Sequence, residues 1–174
     1  AAAAEPRLVR IADAAAWAAM APLARLDAAV FDNVCSCVRR SVWERHPFGR
    51  ASFAEDLEWG RDVLLAGHAL AYAPAAVVVH SHRRGLRYEL DRTYHAHRRL
   101  HELFGVRTIP TAGHLVRAVA ATAGEHLRVV RAGDGARPGE ILRALGLAVV
   151  WPLGQYLGGR AAASGRELLR TGKL

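Results

Sequence analysis

The sequence predicts an α/β chain, on three observations. Extended segments at 29–38, 70–73 and 76–82 alternate with helical patterns. A turn at Gly67 returns the chain from a helix over about 54–66 to the second of these segments. A long amphipathic helix then covers 86–104. With 174 residues, 52% of them hydrophobic and 23% charged, the chain is long and apolar enough to bury a core, which excludes disorder.

Taken in order, residues 1–29 are alanine-rich, with a helical pattern from about Ile11 to Leu26 that breaks near Pro22. The text AVFDNVCSCV from Ala29 to Val38 reads as an extended segment entering the core. Arg39 and Arg40 lead into a short helix, SVWERH, which Pro47 stops, and a loop covers Phe48 to Ser52. Ser52 and Glu55 have the S-x-x-E spacing of a capping box at the start of the 54–66 helix. That box accounts for Glu55 and does not require Asp56, although the helix dipole also favours acids in a first turn.

Leu70–Ala73 and Ala76–His82 are β-like, separated by Pro74. Alternation in the second puts Ala76, Val78, His80 and His82 on one face. The two histidine Cα atoms would then lie roughly 7 Å apart, close enough for both imidazoles to meet one metal. A surface or hydrogen-bonded pair is the default for a bare H-x-H. In the 86–104 helix, Leu86, Leu90, Tyr94, His97, Leu100 and Phe104 follow the helical period, and Gly105 ends it. Its other face carries Arg87, Arg92, His95, Arg98 and Arg99, a solvated basic face.

A further helix covers about Thr111 to Val130, GDGARPG marks a loop, and an apolar pattern runs from Ile141 to Leu157. That run is short for a spanning helix and is interrupted by Pro152. It can pack on the domain, lie in a membrane interface or re-enter a bilayer. The net charge of +8 is carried by arginine, since Lys173 is the one lysine, and it suits an anionic partner. Aromatic residues make up only 7% and the arginines are spread over several elements, so a nucleic-acid-binding module ranks well below the other readings. Cys35 and Cys37 are too close along one extended segment for a good disulfide, which suits a reducing compartment and a cytoplasmic location.

The segments FDNVCSCVRRSVW, AEDLEWGRDVLLAGH and YAPAAVVVHSH, followed by a helix ending RRLHELFG, resemble in order the C-terminal half of family-two glycosyltransferases, with the closest likeness to bacterial rhamnosyltransferase-like members. The resemblance implies a GT-A (Rossmann-like) fold and inverting transfer of a sugar from a nucleotide-sugar donor to a glycan or lipid-linked acceptor. It implies residues 1–105 as part of the catalytic domain on the acceptor side, and 106–174 as a C-terminal helical region at the inner face of the membrane. Asp56 would be the general base with Glu55 beside it, and Trp59 a surface on which a sugar stacks or else a core residue. Arg39, Arg40 or Arg61 would help keep a carboxylate charged. His80 and His82 would hold Mg²⁺ or Mn²⁺, with Arg83 beside the same diphosphate. The acidic D-x-D motif and the nucleotide-binding units of such enzymes do not occur in residues 1–30. The chain is therefore expected to act as one part of a larger enzyme and to associate when expressed alone.

Overall fold

The computed structural model describes residues 5–49, 53–132 and 137–169. They form two compact units, Ala1–His82 and Arg83–Leu174. Helix covers 61% and strand 4% of the described residues, which overturns the expected α/β, GT-A (Rossmann-like) class. The only sheet among them is a two-stranded antiparallel ribbon of β1 (Arg7–Val9) and β2 (Leu70–Tyr72), with Leu8 opposite Ala71.

Two segments expected to be extended account for the difference. In 29–38, Asp32 Oδ1 accepts the Val34 N–H at 2.9 Å and turns the chain, and residues 32–37 are exposed rather than entering a core. Residues 76–82 form no strand. Their side-chain alternation is β-like, but a strand also needs a neighbour for its N–H and C=O groups, and Val77 and Val79 are 80% and 102% exposed.

The first unit is built around α4 (Glu55–Leu65). Before it come α1 (Ala14–Ala19), capped by Asp13 Oδ1 on the Ala16 N–H at 2.7 Å, and α2 (Pro22–Ala29), with Pro22 in its first turn as the break near Pro22 requires. The short α3 (Arg40–Trp43) follows. α4 buries Trp59, Gly60, Val63 and Leu64. Helices α2 and α4 touch where a Cβ on Gly60 would stand 2.2 Å from the Ala29 carbonyl oxygen, so only glycine fits there.

The second unit is a bundle of α5 (Leu86–Phe104), α6 (Ala112–Ala132) and α7 (Pro138–Ser164), in which α7 packs on both others. α5 has the expected bounds. Gly105 closes it in the left-handed region at φ 75°, donating to the His101 carbonyl at 2.8 Å. α7 continues through Pro152, which the sequence placed as an interruption. Its buried face is small: Ala144, Ala148, Gly154, Gly158 and Ala161. A Cβ on Gly158 would lie 2.2 Å from the Tyr94 carbonyl oxygen and 2.9 Å from the Arg98 nitrogen, and one on Gly154 would lie 2.8 Å from Thr93 Cβ. The backbones of α5 and α7 therefore meet directly along this line.

Polar side chains tie the bundle together. Thr108 Oγ1 lies 3.1 Å from His97 Nδ1 and donates to Gln155 Oε1 at 3.0 Å. Trp151 Nε1 donates to Glu89 Oε2 at 3.2 Å, and the His126 ring meets Trp151 edge-on. Just past α7, Glu167 accepts from the Tyr94 hydroxyl at 2.6 Å and pairs with Arg98, while the Leu168 N–H donates to the same hydroxyl at 3.3 Å. These bonds hold Glu167 below the ordinary carboxylate range, the Tyr94 bond first.

Two outcomes are expected. Gly158→Ala lowers stability by about 2–3 kcal/mol, because the extra methyl overpacks against backbone. Gly124→Ala on α6, where a Cβ meets nothing within 4 Å, is neutral or stabilising by up to ~1 kcal/mol; chemical denaturation of both variants checks the contrast. Burial lowers the His97 pKa to about 4. An unfolded His97 takes a proton near its ordinary pKa of 6.5 while the folded one does not, so this stabilisation is complete above that value and is lost as pH falls toward 4. The loss is on the order of 3 kcal/mol, and His97→Gln flattens the pH dependence in denaturation series.

Candidate active site

α4 begins at an unusual residue. Ala54 sits in the left-handed region at φ 56°, which a residue with a Cβ seldom adopts, and it gives no side-chain cap. Ser52, the expected partner of Glu55 in a capping box, lies outside the described residues. Glu55, Asp56 and Glu58 all fall in the first turn, where free N–H groups and the helix dipole favour negative charge.

Asp56 is half-buried, and its Oδ1 accepts the Leu57 N–H at 2.8 Å. Its carboxyl is pushed above the usual range, chiefly by burial. The Leu57 hydrogen bond works against that shift, and the negative charges of Glu55 and Asp32 add to it. Of the basic groups expected to hold it charged, Arg40 and Arg61 are engaged elsewhere. Arg61 bonds Asp62 at 2.6 Å and reaches Glu58 at 3.8 Å, and Arg40 bonds Glu44 at 2.8 Å. Arg39 is exposed at the N-cap of α3, and Arg83 is exposed as the first residue of the second unit.

Trp59 lies in the core, 5% exposed. Its ring stacks on Phe48 at 5.2 Å and meets Phe31 at 4.7 Å, and its Nε1 donates to the His46 carbonyl at 2.6 Å. Of the two roles open to it, the structure places it in the one that builds the unit. Through Phe31 this aromatic cluster fixes the backbone that carries Asp32, whose charge bears on Asp56. Asp32 was not among the candidates from sequence; the signal was its place directly after the aromatic Phe31, which packs on Trp59.

His80 and His82 are exposed, with rings 4.4 Å apart and nearly perpendicular. They lie on irregular chain, so no strand face sets their direction. Among the described residues no group of three or more His, Cys, Asp or Glu is placed to hold a metal ion. Two imidazoles on their own suit neither Mg²⁺ nor Mn²⁺, which favour oxygen donors. The pair does not by itself make the cation site that the resemblance implied. Cys35 and Cys37 are free and exposed. An apolar depression of about 420 Å³ between Pro6–Leu8 and Ala71–Ala75 contains none of these residues and offers no chemistry.

No family model, curated protein or solved structure matches this chain.

Trp59→Ala is expected to destabilise the first unit by about 3–5 kcal/mol. Trp59→Phe, which keeps the stacking and loses the bond to His46, costs less, about 1–2 kcal/mol. A thermal melt that leaves Trp59→Ala unchanged would remove the tryptophan from the core.

Proposed function

We propose that this chain is the acceptor-side part of an inverting glycosyltransferase, in which Asp56 takes a proton from an acceptor hydroxyl. The observation that carries the proposal is a carboxylate at the start of α4 that is half-buried, crowded by Glu55 and Asp32, and raised in basicity by burial. A general base works best when its pKa lies nearer the working pH than that of a free carboxylate, provided it remains ionised. The order of FDNVCSC, AEDLEW and VVHSH along the chain supports the same reading.

In this reading the acceptor oxygen attacks the anomeric carbon of a nucleotide-sugar, with rhamnose the sugar suggested by the likeness, as its proton passes to an Asp56 oxygen. The bond from that carbon to the nucleoside diphosphate breaks with its electron pair on the leaving oxygen, and the configuration inverts. Glu55 and Asp32 raise the proton affinity of Asp56 through their charge. The aromatic cluster under α4 holds the first turn in place while the proton moves. The acceptor is a hydroxyl of a glycan or lipid-linked glycan, and nucleic acid has no part.

In the intact protein that carries this chain, Asp56→Asn is expected to lower transfer by ~10²–10⁴-fold with the circular dichroism spectrum unchanged. The wild-type rate should rise with pH through an apparent pKa above the ordinary carboxylate range, and Asp32→Asn should move that limb toward lower pH. Transfer from a panel of nucleotide-sugars, read as released nucleoside diphosphate, supplies the measurement. Unimpaired turnover by Asp56→Asn would exclude Asp56 as the base.

A further inference from the structure

We propose that the outward face of α7 docks on the surface of an anionic lipid bilayer, with the helix lying in the plane of the interface. This inference is independent of the transferase reading and concerns only the second unit.

α7 buries small residues against α5 and α6, with Trp151 turned in toward Glu89 and His126, and leaves one stripe of larger apolar residues outward. Leu142, Leu145 and Val149 are exposed, Leu142 by 73%, and Leu153 and Tyr156 continue the same side at three- and four-residue spacing. The stripe extends roughly 21 Å at the helical rise. No residue from Ala144 to Gly159 is charged, and cations stand at both ends: Arg137 and Arg143 before that segment, Arg160 and Arg166 after it. Arg160 lies on the side of the stripe, with its guanidinium over the Tyr156 ring and one N–H on the Tyr156 hydroxyl at 2.7 Å. Tyrosine beside arginine at the edge of an apolar strip is suited to the headgroup region, where the ring sits at the boundary and the guanidinium meets phosphate. Of the two acids near these ends, Glu140 accepts the Arg137 N–H in the first turn at 3.3 Å and Glu167 is held by Tyr94 and Arg98. Arg143 donates to the Arg84 carbonyl at 2.7 Å, and Arg160, with the exposed Arg166 beyond it, gives the face a positive end complementary to anionic lipid.

By length and composition α7 could also cross a membrane. Its packing points to the interface instead. Its other sides are occupied by α5 and α6, and α5 carries Arg87, Arg92, Arg98 and Arg99. Spanning in this bundle would draw those guanidinium groups into hydrocarbon at a cost of several kcal/mol each. Immersing only the outward stripe moves no charge out of water. The uncharged segment, roughly 24 Å long, is also shorter than a hydrocarbon core of about 30 Å.

The test is flotation of the 174-residue chain with vesicles of phosphatidylcholine alone or with added phosphatidylglycerol. Binding is expected with phosphatidylglycerol, weak binding without it, and release by high salt or alkaline carbonate. Replacing Leu145 and Val149 together by Asp should lower partitioning at least ~10-fold, and Arg160→Gln about fivefold on the anionic vesicles only. Should the double Asp variant fail to fold by circular dichroism, Leu145→Ala supplies the milder form of the same test, with a loss of severalfold. Equal binding to both vesicle types, no binding at all, or retention through carbonate would overturn the proposal. So would a dimer in plain buffer that Val149→Asp dissolves, which would give the face to a second copy of the chain.

Discussion

Both units depend on a helix brought so close to a neighbouring carbonyl that no side chain fits between them. In the first unit Gly60 of α4 meets the last carbonyl of α2, and in the second Gly158 of α7 meets the Tyr94 carbonyl in the middle of α5. Close approach of this kind favours weak Cα–H contacts to oxygen and dense dispersion contact between backbones. It also explains an apparent imbalance in α7, a helix whose buried residues are alanine, glycine and one proline while Leu142, Leu145 and Val149 are exposed. Small residues there serve proximity, and the polar bonds from Thr108, Trp151 and Glu167 then set which turn of one helix faces which turn of the other.

The candidate site rests on a different balance. Three acids in one turn would ordinarily be stabilised by the helix N-terminus. Asp56 is withdrawn from water far enough that burial outweighs that benefit, and Arg40 and Arg61 are paired with Glu44 and Asp62 instead. Beneath it, Phe31, Phe48 and Trp59 form the packed floor on which this turn stands. Local destabilisation of a carboxylate is thus supported by aromatic packing a few residues away.

The parts of the fold that were legible in the sequence are those decided within one or two turns. Gly105 ends α5 where the periodicity stops, Pro22 opens α2, and the apolar pattern from Ile141 to Leu157 lies within α7, although that helix already begins at Pro138 inside the stretch read as a loop. Of the strands, Leu70–Tyr72 was legible, lying within the 70–73 segment that reads as extended; its partner, and the failure of 76–82 to pair, were not, because a strand is a property of a pair. Val77 to Val79 have the composition of a strand and no described neighbour to make them one, while Arg7–Val9, in an alanine-rich stretch with helical neighbours, pairs with residues more than sixty positions away. Of the candidate residues, Glu55, Asp56 and Trp59 stand on the helix where spacing placed them. The direction of His80 and His82 followed from a strand that does not form. Asp32 was hidden because its influence on Asp56 passes through folded space rather than along the chain.

The clasp that joins Glu167 and Leu168 to Tyr94 and Arg98 makes the second unit a closed mechanical circuit. Tension applied from beyond residue 169 would reach α5 through these side chains before it reached the end of α7. The load would fall on several bonds at once, and α7 would be spared from unravelling turn by turn from Ser164. A pull on the tail would therefore be felt first in the middle of the bundle.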